Sequence, residues 1–277
     1  MPAEAKNAFL EALSNDARGD GGLGQEQRAE ASARLGDLSH KAGDLLAAEE
    51  WLEKALDLTR PHEYLSLAKR QHLRAQIWEA RGRFDDAVAL IAGAQEIAAK
   101  TETREGKVLV LELRRYGAWL TYRSGNLEGA REEFIELLKA VPLDEPYLLG
   151  GALNGLGVAA YGLGDYGSAE NHFTAALEHH EKTGASRGIS ASYNNLGMVA
   201  MKQGDRPAAV RWYERAVRIH ARSGNRTRLA QSYNNLGSLY GEMGEHGRAE
   251  GFLRESIRIR ADSGHSDIAT GYANLGE

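Results

Sequence analysis

The chain has 277 residues, 42% apolar and 26% charged, enough to bury a substantial core and too apolar for a disordered polymer. It has no cysteine, which excludes disulfides, cysteine-ligated metal sites and thiol nucleophiles, and fits a cytoplasmic location. The formal net charge of −5 argues against a general nucleic-acid binder, although residues 202–260 carry 12 Lys and Arg against 6 Asp and Glu.

Along the chain, residues 1–24 come first. Met1 to Lys6 holds no basic stretch leading into an apolar one, and nowhere do 18 apolar residues run together, so neither a signal peptide nor a membrane span is expected. Ala5, Phe9 and Ala12 share one helical face and predict a capping helix. Gly19, Gly21 and Gly24 formally satisfy G-x-G-x-x-G, but no strand precedes them, so a joint is expected rather than a dinucleotide site. No cofactor is implied.

From residue 25 onward the sequence repeats. Tyr193-Asn-Asn-Leu-Gly197 returns 40 residues later as Tyr233-Asn-Asn-Leu-Gly237, and more weakly as Tyr272-Ala-Asn-Leu-Gly276. A glycine before a short polar turn stands at 43, 82, 125, 164, 204 and 244. Five residues beyond each lies Ala48, Ala87, Ala130, Ala169, Ala209 or Ala249. Four further on comes Leu52, Ile91, Phe134, Phe173, Tyr213 or Leu253, then Ala55, Ala94, Leu137, Ala176, Ala216 or Ser256. Steps of four and three put these residues on one helix face, and Leu156, Gly157 and Ala160 do the same on the helix before. Asp44, Asn126, Asp165 and Asp205 are placed to cap the second helices, and Gly184, Gly224 and Gly264 to close them. Small residues at the contacts predict close helix approach, so larger side chains there are expected to overpack. Gly150, Gly151, Gly155 and Gly162 crowd one first helix and predict a pliable stretch.

This Leu-Gly, Gly-Asp, Ala, Phe/Tyr, Ala series resembles the tetratricopeptide repeat over about residues 29–277. In its repeat length of 39–43 residues and its Asn-Asn-Leu-Gly it is similar to the long repeats of kinesin light chain and the Pins-type G-protein-signalling modulators. The second and third repeats depart, with Arg74-Ala75 and Gly117-Ala118 in place of Leu-Gly. The resemblance implies an all-α fold, a right-handed α-solenoid of antiparallel helix pairs. Residues 25–277 would hold six full repeats plus the start of a seventh. The half-repeats at the two ends are read as a capping helix at the amino end and a cap, or a cut in a longer array, at the carboxyl end, or else they complete each other between molecules, which would give self-association.

In such arrays the first helices line a concave groove through their second, fifth, ninth, twelfth and thirteenth positions. The fifth is Asn154, Asn194 and Asn234 in repeats four to six. An amide offers both a donor and an acceptor, so a row of them suits the main chain of an extended peptide. Asn195, Asn235 and Asn274 either join that row or bond to an adjoining helix, and the fifth-position residues could themselves be structural. Trp119, Tyr122, Val158, Tyr161, Met198 and Met201, flanked by Arg115, Arg123 and Lys202, would form the apolar part of the groove, unless the aromatics serve packing between repeats. An amphipathic or acidic peptide fits this lining best. The Lys at the fifth position by which chaperone-type members grip a terminal carboxylate is replaced by Asn, Arg115 being the nearest substitute.

Arg206, Arg211, Arg215, Arg218 and Arg222 form a stripe on one second helix, with Arg254 and Arg258 on the next. A solvated convex face is the plain expectation, and an acidic partner or nucleic acid the sharper one. No catalytic constellation stands out. There is no G-x-S-x-G, Glu132 and Glu133 sit on a polar face, and His172, His179 and His180 lack metal-site spacing and read as surface residues. The expected function is a non-enzymatic scaffold holding a partner peptide or helix. The alternative is the sensing domain of a bacterial signalling or transcription regulator.

Overall fold

The computed structural model describes residues 2–17 and 23–262. These form helices only. The first is α1 (Pro2–Ala17), followed by first helices α2 (Gln25–Lys41), α4 (Tyr64–Ala80), α6 (Arg104–Arg123), α8 (Pro146–Gly162), α10 (Ser186–Gln203) and α12 (Arg226–Glu242). They alternate with second helices α3 (Leu45–Asp57), α5 (Phe84–Ala99), α7 (Leu127–Ala140), α9 (Tyr166–Thr183), α11 (Arg206–Ser223) and α13 (His246–Asp262). The result is an all-α repeat solenoid that divides into two compact units, one ending at Glu133 and the other beginning at Phe134. Gly24 caps α2; the rest of the 19–24 joint up to Gly22, and Gly264, Asn274 and Gly276, lie outside the described residues.

The turn between the paired helices is dictated residue by residue. Gly43, Gly82, Gly125, Gly164, Gly204 and Gly244 all have φ between 75 and 95°, where a side chain is strained. The next residue starts the second helix. Asp44, Asp165 and Asp205 accept from Ala47, Ser168 and Ala208 backbone N–H groups at 2.9–3.1 Å, and Asn126 from Gly129 at 3.0 Å. Each bond satisfies a donor that the helix start leaves orphaned, worth about 1 kcal/mol.

Packing inside each pair explains the small residues. Ala48, Ala55, Ala87, Ala94, Ala169, Ala176, Ala209 and Ala216 are fully buried. A Cβ at Gly157 would lie 2.5 Å from the Phe173 ring, and at Gly197 2.6 Å from the Tyr213 ring. Ser256 takes the alanine's place in the last described pair and donates from Oγ to the Ala230 carbonyl at 2.7 Å. In the first unit the fit is looser, since a Cβ at Gly117 would meet Ile91 only at 3.5 Å. Gly150 and Gly155, expected to loosen α8, are buried instead. Their missing side chains make room for the His180 and Phe134 rings, which gives two of the four glycines a packing role.

Candidate functional site

In the second unit, α8, α10 and α12 stand in sequence and present Asn154, Asn194 and Asn234 at equivalent positions, each partly buried. The neighbouring asparagines tie the helices together. Asn195 Nδ2 donates to Asn154 Oδ1 and Asn235 Nδ2 to Asn194 Oδ1, both at 2.9 Å. Of the alternatives the sequence left open for Asn195 and Asn235, the structure thus has the bond to an adjoining helix.

This ladder polarises the fifth-position amides. The oxygens of Asn154 and Asn194 are engaged by the next repeat, which leaves their nitrogens as the groups free to donate elsewhere. Asn194 Nδ2 meets only the Met198 sulfur at 3.8 Å, a weak acceptor, and Asn154 Nδ2 bonds no acceptor among the described residues. Below each amide, at steps of four and seven, come Val158 and Tyr161 on α8 and Met198 and Met201 on α10, all partly buried, with Lys202 exposed beside them. The Tyr213 phenol is buried beneath this surface; burial pushes its pKa well above the usual range, and Tyr161 and Glu242 push it further. It stays a neutral hydroxyl.

The first unit is organised by a carboxylate that sequence reasoning did not single out. Glu79, on α4, accepts from Tyr116 Oη at 2.6 Å, Arg123 Nη1 at 2.8 Å and Trp119 Nε1 at 3.2 Å, all three from α6. The Arg123 guanidinium also lies over the Phe84 and Trp119 rings. Trp119 stacks on Tyr122, ring centroids 5.4 Å apart. Trp119 and Arg123 are therefore held in place internally, and both Trp119 and Tyr122 remain partly exposed. Arg115 stands near His72, whose ring packs on Tyr116 at 4.7 Å. Burial lowers the His72 pKa to about 4, with the Arg115 charge contributing, so the imidazole is neutral. A second such link joins α3 to α4, where Glu49 accepts from Trp78 Nε1 at 3.2 Å and pairs with Arg81.

One expectation needs correcting. His180 is not a surface residue but 5% exposed, pressed under α8 and α10 where Gly150 and Gly188 leave room for its ring. Its counterpart one repeat on, His220, is equally buried. The arginines of α11 are exposed as expected, and Arg215 lies over the Trp212 ring at 4.8 Å. No helix among the described residues is long and apolar enough to cross a membrane.

Three family models, each describing a Tetratricopeptide repeat, match residues 2–63, 70–92 and 188–262. No curated protein matches the sequence. Among solved structures, BtubC (BKLC) from P. vanneervenii is similar with a TM-score of 0.61 at 21% identity, over 87% of this chain and 93% of that one. A Rap protein complexed with Competence and Sporulation Factor gives a TM-score of 0.67 at 18% identity, over 92% and 75%. A signal transduction ATPase with numerous domains from Pyrococcus horikoshii, which carries a tetratricopeptide repeat sensor, gives 0.66 at 16% identity, over 99% of this chain and 40% of that one.

Proposed function

For a chain that belongs to the tetratricopeptide repeat family, we propose that it is a protein-interaction module whose second unit holds an extended peptide segment of a partner through the main chain. The observation that carries this reading is the asparagine ladder. Asn195 and Asn235 engage the oxygens of Asn154 and Asn194, so the fifth-position amides act as donors and select peptide carbonyls. Packed helices lie ~9 Å apart and an extended chain advances ~3.4 Å per residue, so the segment meets one asparagine about every third residue. Each bond contributes only about 0.5–1.5 kcal/mol, which makes the row the recognition element.

Val158, Tyr161, Met198 and Met201 supply an adaptable apolar floor, and Lys202 favours an acidic or amphipathic segment. In the first unit, the Trp119 and Tyr122 ring faces, with Arg115 and Arg123 beside them, offer a second surface of the same character. The Rap protein, similar in fold, is complexed with Competence and Sporulation Factor, which is in keeping with a binding role. The sensor region of the Pyrococcus ATPase supports a second reading, in which the bound segment regulates an attached effector.

The experiment is selection of binders from a random peptide display library on the full chain. Selected peptides should tolerate alanine at most positions, while replacing main-chain amides by esters, which weakens their carbonyl acceptors, should lower affinity at every third residue or so. Peptides whose binding rests on one or two side chains and ignores ester replacement would defeat the proposal.

A further inference from the structure

At the joint between α10, α11 and α12 the second unit contains a polar cavity of about 240 Å³, far above the ~10–15 Å³ that admits one water. Arg187, Arg228, His220, Ser186 and Ser190 line it. No carboxylate does, and neither arginine has an ion-pair partner among the described residues. Arg187 and Arg228 line the same cavity from α10 and α12, each at its solvent-exposed rim, so two like charges share one space. Burial and the Arg187 charge both lower the Arg228 pKa, in that order. His220 is 5% exposed and lines the cavity, yet its ring makes no hydrogen bond among the described residues. The bonds at that residue, from Ser223 Oγ and Asn225 N, go to its backbone carbonyl.

The helix start beside the cavity is also unsatisfied. Ala185 is the N-cap of α10 and makes no side-chain cap bond, so the N–H groups of the first turn, at Ser186 and Arg187, keep their partial positive charge.

The preceding joint shows that this arrangement is particular to its place. Shifted by 40 residues, Arg187, Ser190, His220 and Arg228 correspond to Tyr147, Gly150, His180 and Gly188. There the histidine ring is enclosed: a Cβ at Gly188 would lie 2.4 Å from it and one at Gly150 2.7 Å, with the Tyr147 ring 6.4 Å away. Replacing an aromatic ring and two glycines by two arginines and a serine turns a closed apolar joint into an open cationic one.

We propose that this cavity is a binding site for a phosphoryl group, carried on a phosphorylated peptide or free as inorganic phosphate. Two guanidiniums that repel each other match a group of charge near −2, whereas a carboxylate would leave one of them uncompensated. The uncapped start of α10 and the His220 ring supply further donors to its oxygens. This site is separate from the asparagine face.

The test uses the full chain at fixed ionic strength, titrated with sodium phosphate and, in parallel, with a phosphoserine peptide and its unphosphorylated twin. Saturable calorimetric binding is expected for at least one phosphorylated probe, with shifts in the Arg187, Arg228 and His220 side-chain resonances. The probe that binds at the lower concentration identifies the source. R187Q/R228Q should weaken binding at least tenfold, while R206Q/R211Q, which removes the same charge from the exposed face of α11, should change it less than twofold. Absence of saturation by both probes, binding that R187Q/R228Q leaves intact, or an equal loss in R206Q/R211Q would overturn the proposal. The wild-type resonance shifts decide the matter without any variant.

Discussion

The two units solve the same packing problem with different chemistry. In the second, successive helices are joined by neutral amides that recur with the repeat, Asn195 to Asn154 and Asn235 to Asn194. In the first they are joined by single charged hubs: Glu49, Glu79, and the buried Arg70, which binds Thr59 Oγ1. A hub secures its helices firmly but consumes the polar groups around it, as Glu79 does with Trp119 and Arg123. The ladder leaves the Asn154 amide nitrogen without an acceptor among the described residues and gives that of Asn194 only the Met198 sulfur. On the proposed reading, the regular half of the chain is the one that holds a main chain, whereas the irregular half spends its polar groups internally.

The sharpest way to break this comparison is at the helix contacts. Gly197→Ala in the second unit should cost about 3 kcal/mol, because its Cβ would lie 2.6 Å from the Tyr213 ring, whereas Gly117→Ala in the looser first unit should cost under about 1 kcal/mol. Thermal melting checks both, and equal effects would erase the distinction.

His72 comes next. Its folded pKa of about 4 lies below the ordinary 6.5, so the neutral ring's contribution to stability is full above about pH 6.5 and is lost as the pH falls toward 4, a total of about 3 kcal/mol. Urea midpoints from pH 7 to 4 should therefore fall more steeply for the wild type than for His72→Gln. Glu79→Ala should cost about 2 kcal/mol by leaving the Tyr116, Trp119 and Arg123 donors without their acceptor, read as a lowered urea midpoint. Asn195→Ala should cost about 1 kcal/mol, and it frees the Asn154 amide to rotate.

Much of the fold was legible because its constraints are local and recur. A glycine with positive φ and an alanine five residues beyond it can each be read at one repeat and checked at five others, and an Asp or Asn cap on the residue after the glycine recurs in four of the six. Glu79 occurs once, and nothing in the spacing of Tyr116, Trp119 and Arg123 names their common acceptor on another helix. The asparagine ladder left a signal, the doubled Asn in consecutive repeats, but which of each pair bonds sideways depends on helix rotation. His180 was misplaced because the glycines that admit its ring are 30 residues before it and eight after it in the sequence. The cationic joint emerges only when equivalent residues of adjacent repeats are laid over one another.

The proposed row of amide donors on α8, α10 and α12 is tested by the affinity of a selected peptide for the wild type against N154A/N194A/N234A. Loss of three bonds predicts at least a tenfold weakening. Asn154→Ala and Asn194→Ala strand the Asn195 and Asn235 amides, so stability should fall by about 2 kcal/mol, with helicity intact. A folded triple variant that binds the peptide as tightly as the wild type would contradict the account.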